Sequence, residues 1–304
     1  EANLTFLPKS IKNPVEVENE RIAHIKDGVA LTKFICWLKK NVGKITMTEL
    51  SAGEKLYSFR AQQENFIDNS FDPIISYGIH AAINHYSATP ETDIAIEPGN
   101  FLLADTGGHY YEGTTDTTRT IVMGSVNDEQ KKYFTAVLRG MLNLGNAKFR
   151  YGCTGVNLDY LARGPLWEMG QDFNHGTGHG VGYLLNVHEG PNSFRWRIIQ
   201  GDNAVLEEGM ITSDEPGYYV ENQYGIRHEN LLVCKKAEKT SFGQFMCFEH
   251  LTMVPFDLDA VVPELMTVQE RALLNNYHAQ VYKKISPYLE EEEKEWLKEA
   301  TREI

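Results

Sequence analysis

Helical periodicity followed by strand-like segments, twice over, restricts what this chain can fold into more than any other feature. Asn13-Pro14 reads as a helix start, a capping side chain followed by proline at the first helical position. Ile22, Ile25, Val29, Phe34, Ile35 and Leu38 then fall at helical spacings. They predict an amphipathic helix to about residue 42, and a second helix follows from about 48 to 64. Residues 71–88 read as strands and turns, and Phe101-Leu102-Leu103-Ala104 is a short apolar run ending in Asp105. Gly107-Gly108 marks a turn, and the threonine-rich stretch Thr114 to Met123 reads as a neighbouring strand. The order then repeats, with helices over about 127–148 and 155–170 and strands around Met210 to Thr212 and Ile226 to Cys234. Such segregation predicts an α+β domain with an internal pseudo-repeat. After Pro263 only helices are expected, at about 267–285 and 287–302. In this C-terminal extension Glu290 to Glu293 face Lys294, Lys298 and Arg302 at helical spacings, while Trp296 and Leu297 pin the helix to the body or to a second subunit.

Charge and cysteine content narrow the function classes. The chain has 29 basic and 42 acidic residues among 304, a formal net charge of −13. Binding to duplex nucleic acid needs cations that displace counterions from phosphate, so this balance argues against it and leaves metals and peptides open. Four cysteines, Cys36, Cys153, Cys234 and Cys247, form no CxxC pair; free thiols in a reducing, cytoplasmic compartment are the simplest account. No run of 18 apolar residues marks a membrane span and no signal-peptide pattern opens the chain. The sequon Asn3-Leu4-Thr5 weighs little, and the start at Glu1 fits a piece cut from a longer protein.

Candidate chemistry lies in acidic and histidine residues set at turns. Asp105 and Asp116 flank a glycine turn, where a hairpin can bring both to one face; side by side they repel unless a cation neutralises them. His175-Gly176-Thr177-Gly178-His179-Gly180-Val181-Gly182 is too glycine-rich for a helix and fails the dinucleotide fingerprint, since Val181 stands where glycine is required. Its glycines are expected to let backbone approach a ligand so that a histidine points into a cleft. Glu215-Pro216 places a carboxylate at a strand end. In Gly225-Ile226-Arg227-His228-Glu229, read as one strand, Arg227 and Glu229 share a face and His228 points away. Four carboxylates and one imidazole suit a pair of hard or borderline divalent ions, manganese above all, with cobalt and zinc also compatible. Spacing alone does not select these five from 42 acidic residues and 10 histidines.

Five motifs in order resemble those of the pita-bread metallopeptidases: Leu103-Ala104-Asp105, Gly113 to Arg119, His175 to Gly182, Asp214 to Tyr219, and Gly225 to Glu229. Within that family the resemblance runs to the X-prolyl aminopeptidases of the long, three-domain kind, through the GTGHGVG form, Leu185 to Pro191, and the tail from Leu273 to Leu297. It implies one catalytic domain over 1–304, with a core at about 14–255 and a helical extension at about 263–304, lacking the creatinase-like domains that precede it in such proteins. It also implies a homodimer. The implied metal ligands are Asp105 and Glu215 on different metals, His179 beside Glu215, and Asp116 and Glu229 bridging. His85 would contact substrate, His188 would stabilise the tetrahedral intermediate, His175 would line the substrate pocket, and Arg227 would hold a metal carboxylate. His80 has no counterpart and is expected to be structural, and His228 stands where relatives often carry an apolar residue. The implied reaction is hydrolysis of the N-terminal X-Pro bond of peptides by a bridging hydroxide that two cations generate from water, with Glu215 carrying the proton. Two other readings are an X-Pro dipeptidase of the same fold and a peptide-binding module without catalysis.

Overall fold

Each half of the molecule places two helices ahead of a three-strand antiparallel meander. The computed structural model describes residues 4–184 and 186–304; Glu1, the sequon's Asn3, and Leu185 lie outside the described residues. In the first half the helices are Pro14–Asn41 and Glu49–Arg60. The sheet that follows runs in the order Ile74–Tyr77, Asn100–Thr106, Thr117–Met123. In the second half the helices Asp128–Gly145 and Tyr160–Trp167 precede Ile211–Asp214, Asn230–Thr240 and Gly243–His250, to which Lys148–Arg150 adds a fourth strand. The pseudo-repeat expected from the sequence is therefore present as architecture.

Local chemistry explains the helix starts. Asn13 accepts hydrogen bonds from the amides of Val15 and Glu16, and the Glu16 carboxylate accepts in return from the Asn13 amide at 2.8 Å, a reciprocal cap with proline at the first position. Thr48, Asn127 and Thr267 start their helices with the same reciprocal cap, without the proline. Several ends differ from the sequence reading. The second helix stops at Arg60, and the 155–170 segment is a 3-10 turn at Gly155–Asn157 followed by the short helix Tyr160–Trp167. Likewise the last predicted helix divides into a 3-10 turn at Ser286–Tyr288 and the helix Glu291–Ala300. Ile22, read as part of the buried face of the first long helix, is 40% exposed, whereas Val29, Phe34, Ile35 and Leu38 are in the core.

The C-terminal helices close the main apolar core. Leu274, Tyr277, Val281, Ile285 and Leu297 pack with Phe134, Met141, Phe256 and Val29. Leu297 is fully buried and Trp296 packs against the body, while Glu292 and Glu293 pair with Lys40 and Lys33 of the first long helix. All four cysteines are free thiols, and among the described residues no helix is long and apolar enough to cross a membrane.

Glu249 links the halves. It accepts from Arg21 Nε and Nη2 at 2.7 and 2.9 Å and from Lys235 at 2.8 Å. Burial pushes this carboxyl up, but the hydrogen bonds from Arg21 and Lys235 outweigh burial and hold it down at about 2. A depressed carboxylate contributes stability that is present above its unfolded pKa near 4.5 and is lost as pH falls toward 2. Glu249→Gln is therefore expected to lower unfolding free energy by about 2 kcal/mol at pH 7 after allowance for partial solvent screening. In denaturation series the gap from the parent should shrink between pH 5 and pH 2, where the carboxyl protonates.

Candidate metal centre

The acidic side chains sit where each sheet lets the chain leave and takes it back. In the first half Asp105 lies near the end of Asn100–Thr106, and the chain then makes an excursion through Gly108–Tyr110 and Gly113–Thr114. Asp116 is the last residue before it rejoins the sheet at Thr117. In the second half Glu215 follows Ile211–Asp214, the hairpin Gly217–Val220 and Tyr224–Arg227 forms the excursion, and Glu229 precedes the return at Asn230. Register pairs Asp105 with Thr118 and Asp214 with Asn230, so departure and return are adjacent in each half.

This geometry corrects two strand readings. Thr114 to Met123 and Ile226 to Cys234 read as unbroken strands, and the single strand Gly225 to Glu229 belongs to the second of them. The structure interrupts both, at Thr115–Asp116 and at His228–Glu229. At the second break the Glu229 amide donates to the Thr118 carbonyl of the other sheet at 3.1 Å, outside any ladder. The expected opposition of His228 to its neighbours holds. Its ring is fully buried, edge-on to Phe134 at 4.3 Å, and burial lowers its pKa to about 3.

All nine residues singled out from the sequence line one cavity of about 490 Å³ between the halves, together with Phe71, Ile74, Asn84, Val187 and Arg195. The ligand atoms of Asp116, His179 and Glu229 lie within 4.8 Å of one another. His179 Nε2 is 3.5 Å from Asp116 Oδ2 and 3.4 Å from Glu215 Oε1. His179 Nδ1 is 2.9 Å from the Gly180 carbonyl. A proton on Nδ1 would satisfy that contact and leave the Nε2 lone pair facing the carboxylates. Asp105 joins the group through Arg227, whose Nη2 donates to Asp105 Oδ2 at 2.6 Å. His188 stacks edge-on to His179 with ring centroids 4.2 Å apart. His80 stands apart, bonded to Glu49 and stacked on Tyr86.

Electrostatics favour a cation here. Burial, then the neighbouring carboxylates, raise Asp116 and Glu229 well above the usual carboxylate range. Burial also raises Glu215, against the opposing pull of His179 and Arg227. Asp105 Oδ1 and Asp116 Oδ1 are buried without a hydrogen-bond partner. Unpaired carboxylate oxygens in a buried, mutually repelling set are the condition that a bound divalent ion relieves, and an oxygen-rich donor set with one imidazole fits such ions.

Several supporting residues were not found from the sequence. The Tyr219 hydroxyl accepts from Arg227 Nη1 at 2.7 Å and lies 2.9 Å from His175 Nε2, joining His175 to Asp105 through Arg227. Thr118 Oγ1 donates to Glu229 Oε2 at 2.8 Å, and Ser213 Oγ to Glu215 Oε1 at 3.1 Å. Tyr219 and Thr118 both lie inside motifs picked out in the sequence, which was the available signal. Gly176 and Gly178 line the cavity, and the segment's glycines also admit close protein neighbours, the Arg195 side chain at Gly176 and backbone at Gly178, Gly180 and Gly182. A Cβ on Gly178 would stand 1.9 Å from the Ser213 carbonyl oxygen, and one on Gly180 would stand 2.1 Å from that of Glu189. Gly178→Ala must push the strand bearing Asp214 away from His179. A loss of about 2–3 kcal/mol is expected in chemical denaturation.

The profile of metallopeptidase family M24 matches residues 18–236, and that of the C-terminal region of the same peptidase family matches residues 244–304. A probable Xaa-Pro aminopeptidase P of Paracoccidioides brasiliensis is 43% identical over 303 residues, covering 97% of this chain and 49% of the relative. The chain thus spans about half the length of such curated relatives. An X-prolyl aminopeptidase from Caenorhabditis elegans, described as a cytosolic enzyme with a di-nuclear active site, superposes with a TM-score of 0.94 at 37% identity. That match covers 100% of this chain and 50% of the other. An Xaa-Pro dipeptidase from Bacillus anthracis gives a TM-score of 0.69 at 29% identity, over 84% and 66% of the two chains. The architecture is the pita-bread fold with a C-terminal helical extension, and the chain belongs to metallopeptidase family M24.

Proposed function

We propose that this chain is the catalytic part of a metalloaminopeptidase that removes the N-terminal residue from peptides with proline second. The observation that carries the reading is the convergence of four carboxylates, two buried and two half-buried, and one imidazole, drawn from both halves, on a single cavity with carboxylate oxygens left unpaired. Asp105, Asp116, His179, Glu215 and Glu229 would hold two divalent ions, with manganese the best match to the donor set. When bound, such ions supply Lewis acidity and lower the pKa of water to near neutrality.

The protein groups complete the chemistry. Glu215 lines the cavity beside His179 and is the group to take a proton from the attacking water and pass it to the leaving imino nitrogen. Burial, then the neighbouring His179, lowers His188 to about 4, so its imidazole is neutral at pH 7 and can donate a hydrogen bond to the developing oxyanion. Burial and the nearby Arg227 lower His175 to about 3, which keeps it an uncharged wall of the substrate cleft. His85 faces the same cavity as a substrate contact, and Arg227 fixes Asp105. A cytoplasmic homodimer is part of the same reading, and size-exclusion chromatography with light scattering checks the dimer.

Activity on a tripeptide X-Pro-Y, with each metal restored after chelation, tests the function. Turnover that disappears on chelation and returns with manganese is expected. Cleavage of X-Pro dipeptides but not of the tripeptide would favour the dipeptidase reading suggested by the Bacillus neighbour. A folded chain that binds no divalent ion would leave only a peptide-binding module.

A further inference from the structure

We infer that Tyr277, on the C-terminal helix Val268–Ile285, is a positioning residue for the metal centre, acting through Arg119 on the main chain of Glu229. The inference rests on the reading of Glu229 as a metal ligand.

Glu229 lies in the break between two strands, so no ladder holds it. Its amide donates to the Thr118 carbonyl, its side chain accepts from Thr118 Oγ1, and its carbonyl accepts from Arg119 Nη1 at 2.6 Å. Arg119 is 1% exposed on the strand Thr117–Met123. The same Nη1 reaches the Thr118 carbonyl at 2.8 Å, so one guanidinium nitrogen ties together the two residues that fix the carboxylate. On its other side Nη2 donates to Asn230 Oδ1 at 2.7 Å, the Val254 carbonyl at 2.8 Å and the Tyr277 hydroxyl at 3.0 Å.

Nε reaches the Pro255 carbonyl at 3.2 Å, and the Phe256 ring centre lies 4.0 Å from Cζ. The Tyr277 hydroxyl is itself fixed by the Thr252 carbonyl at 3.0 Å and the Val254 carbonyl at 2.9 Å. It is the C-terminal helix's contact with the guanidinium, and it sets the plane of a rigid fork whose far edge grips Glu229. Removing that hydroxyl leaves Nη2 with two other acceptors, so the buried charge stays satisfied while the fork loses one of the three anchors on its Nη2 side. Groups that orient a metal ligand ordinarily change metal affinity about 10–100-fold when lost. The single bond here puts the expected loss at the lower end.

Calorimetric titration of the chelator-treated chain with manganese tests this. Tyr277→Phe is expected to weaken manganese binding about tenfold. Arg119→Lys, which keeps the charge and loses the fork, is expected to weaken it at least as much and provides the comparison if Tyr277→Phe does not fold. Val281→Ala, a fully buried site on the same helix, is the control: it should lose thermal stability yet bind manganese like the parent. Parental affinity in Tyr277→Phe, or an equal loss in Val281→Ala, overturns the inference. A parent chain that binds no manganese overturns the reading of the centre and the inference with it.

Discussion

Asp116→Ala is expected to give a chain that is more stable than its parent when stripped of divalent ions and that fails to hydrolyse X-Pro peptides when they are restored. Asp116 is 4% exposed, its Oδ1 has no hydrogen-bond partner, and burial and then repulsion from Asp105 and Glu215 disfavour its charge. A desolvated carboxylate with one oxygen unpaired and like charges beside it destabilises the folded state, so its removal should raise unfolding free energy without metal by about 1–2 kcal/mol. The same deletion takes a donor from the tightest group in the cavity, with His179 and Glu229. Loss of merely supporting groups at metal sites costs about 10–100-fold in affinity or activity, and loss of a direct ligand should exceed that. Two measurements decide the matter: denaturation of the chelated variants, and turnover of X-Pro-Y with manganese added back. Undiminished turnover would remove Asp116 from the centre. A metal-free variant less stable than the parent would show that its carboxylate is satisfied in some other way.

The sequence carried the order of helices and strands because periodicity and capping are local. Asn13-Pro14 is legible as a helix start in two residues, and the structure bears it out and adds the reciprocal contact with Glu16. What periodicity concealed is where strands are interrupted. Thr115–Asp116 and His228–Glu229 sit inside β-branched or alternating stretches, yet they leave the ladder because their backbone bonds turn elsewhere, Thr115 to Gly108 and Glu229 to Thr118. Strand propensity is blind to such tertiary competition. The site was legible as a set of residue types, and its membership came from ordered motifs rather than from spacing. Gly178 shows the same limit: composition marks the segment as irregular, but only packing shows that the Ser213 backbone fills the space a side chain would need. Thr118 and Arg119 escaped notice because each works through a partner far along the chain, and Tyr219 because it joins Arg227 across a hairpin to the distant His175.

The other large effect is expected at Asp159, which anchors the glycine-rich segment. Arg163 and Asp159 are both almost fully buried, and Arg163 Nε meets Asp159 Oδ2 at 2.8 Å. Asp159 Oδ1 accepts from Thr177 Oγ1 at 2.5 Å, while Arg163 reaches the carbonyls of Phe173 and His175 at 2.6 and 2.8 Å. The pair therefore clamps residues 173–177, which lead into His179. Asp159→Ala leaves Arg163 with Asp172 as its one remaining carboxylate partner, at 2.6 Å, and frees Thr177. Breaking a buried pair from one side costs about 3–5 kcal/mol, and the Asp172 contact puts the expected loss at the lower end. Removing both charges should cost less. Asp159→Ala with Arg163→Met leaves no buried unpaired ion, since Asp172 is exposed, so the double variant is expected to be more stable than Asp159→Ala alone. Urea denaturation of the two singles and the double closes the cycle. If the double variant instead loses the sum of the single losses, the two side chains act independently and the clamp on the His175 segment is not a unit. A cycle that closes as expected should be accompanied by weaker manganese binding in both Asp159 variants, because His179 Nε2 depends on the path of the chain that the pair holds.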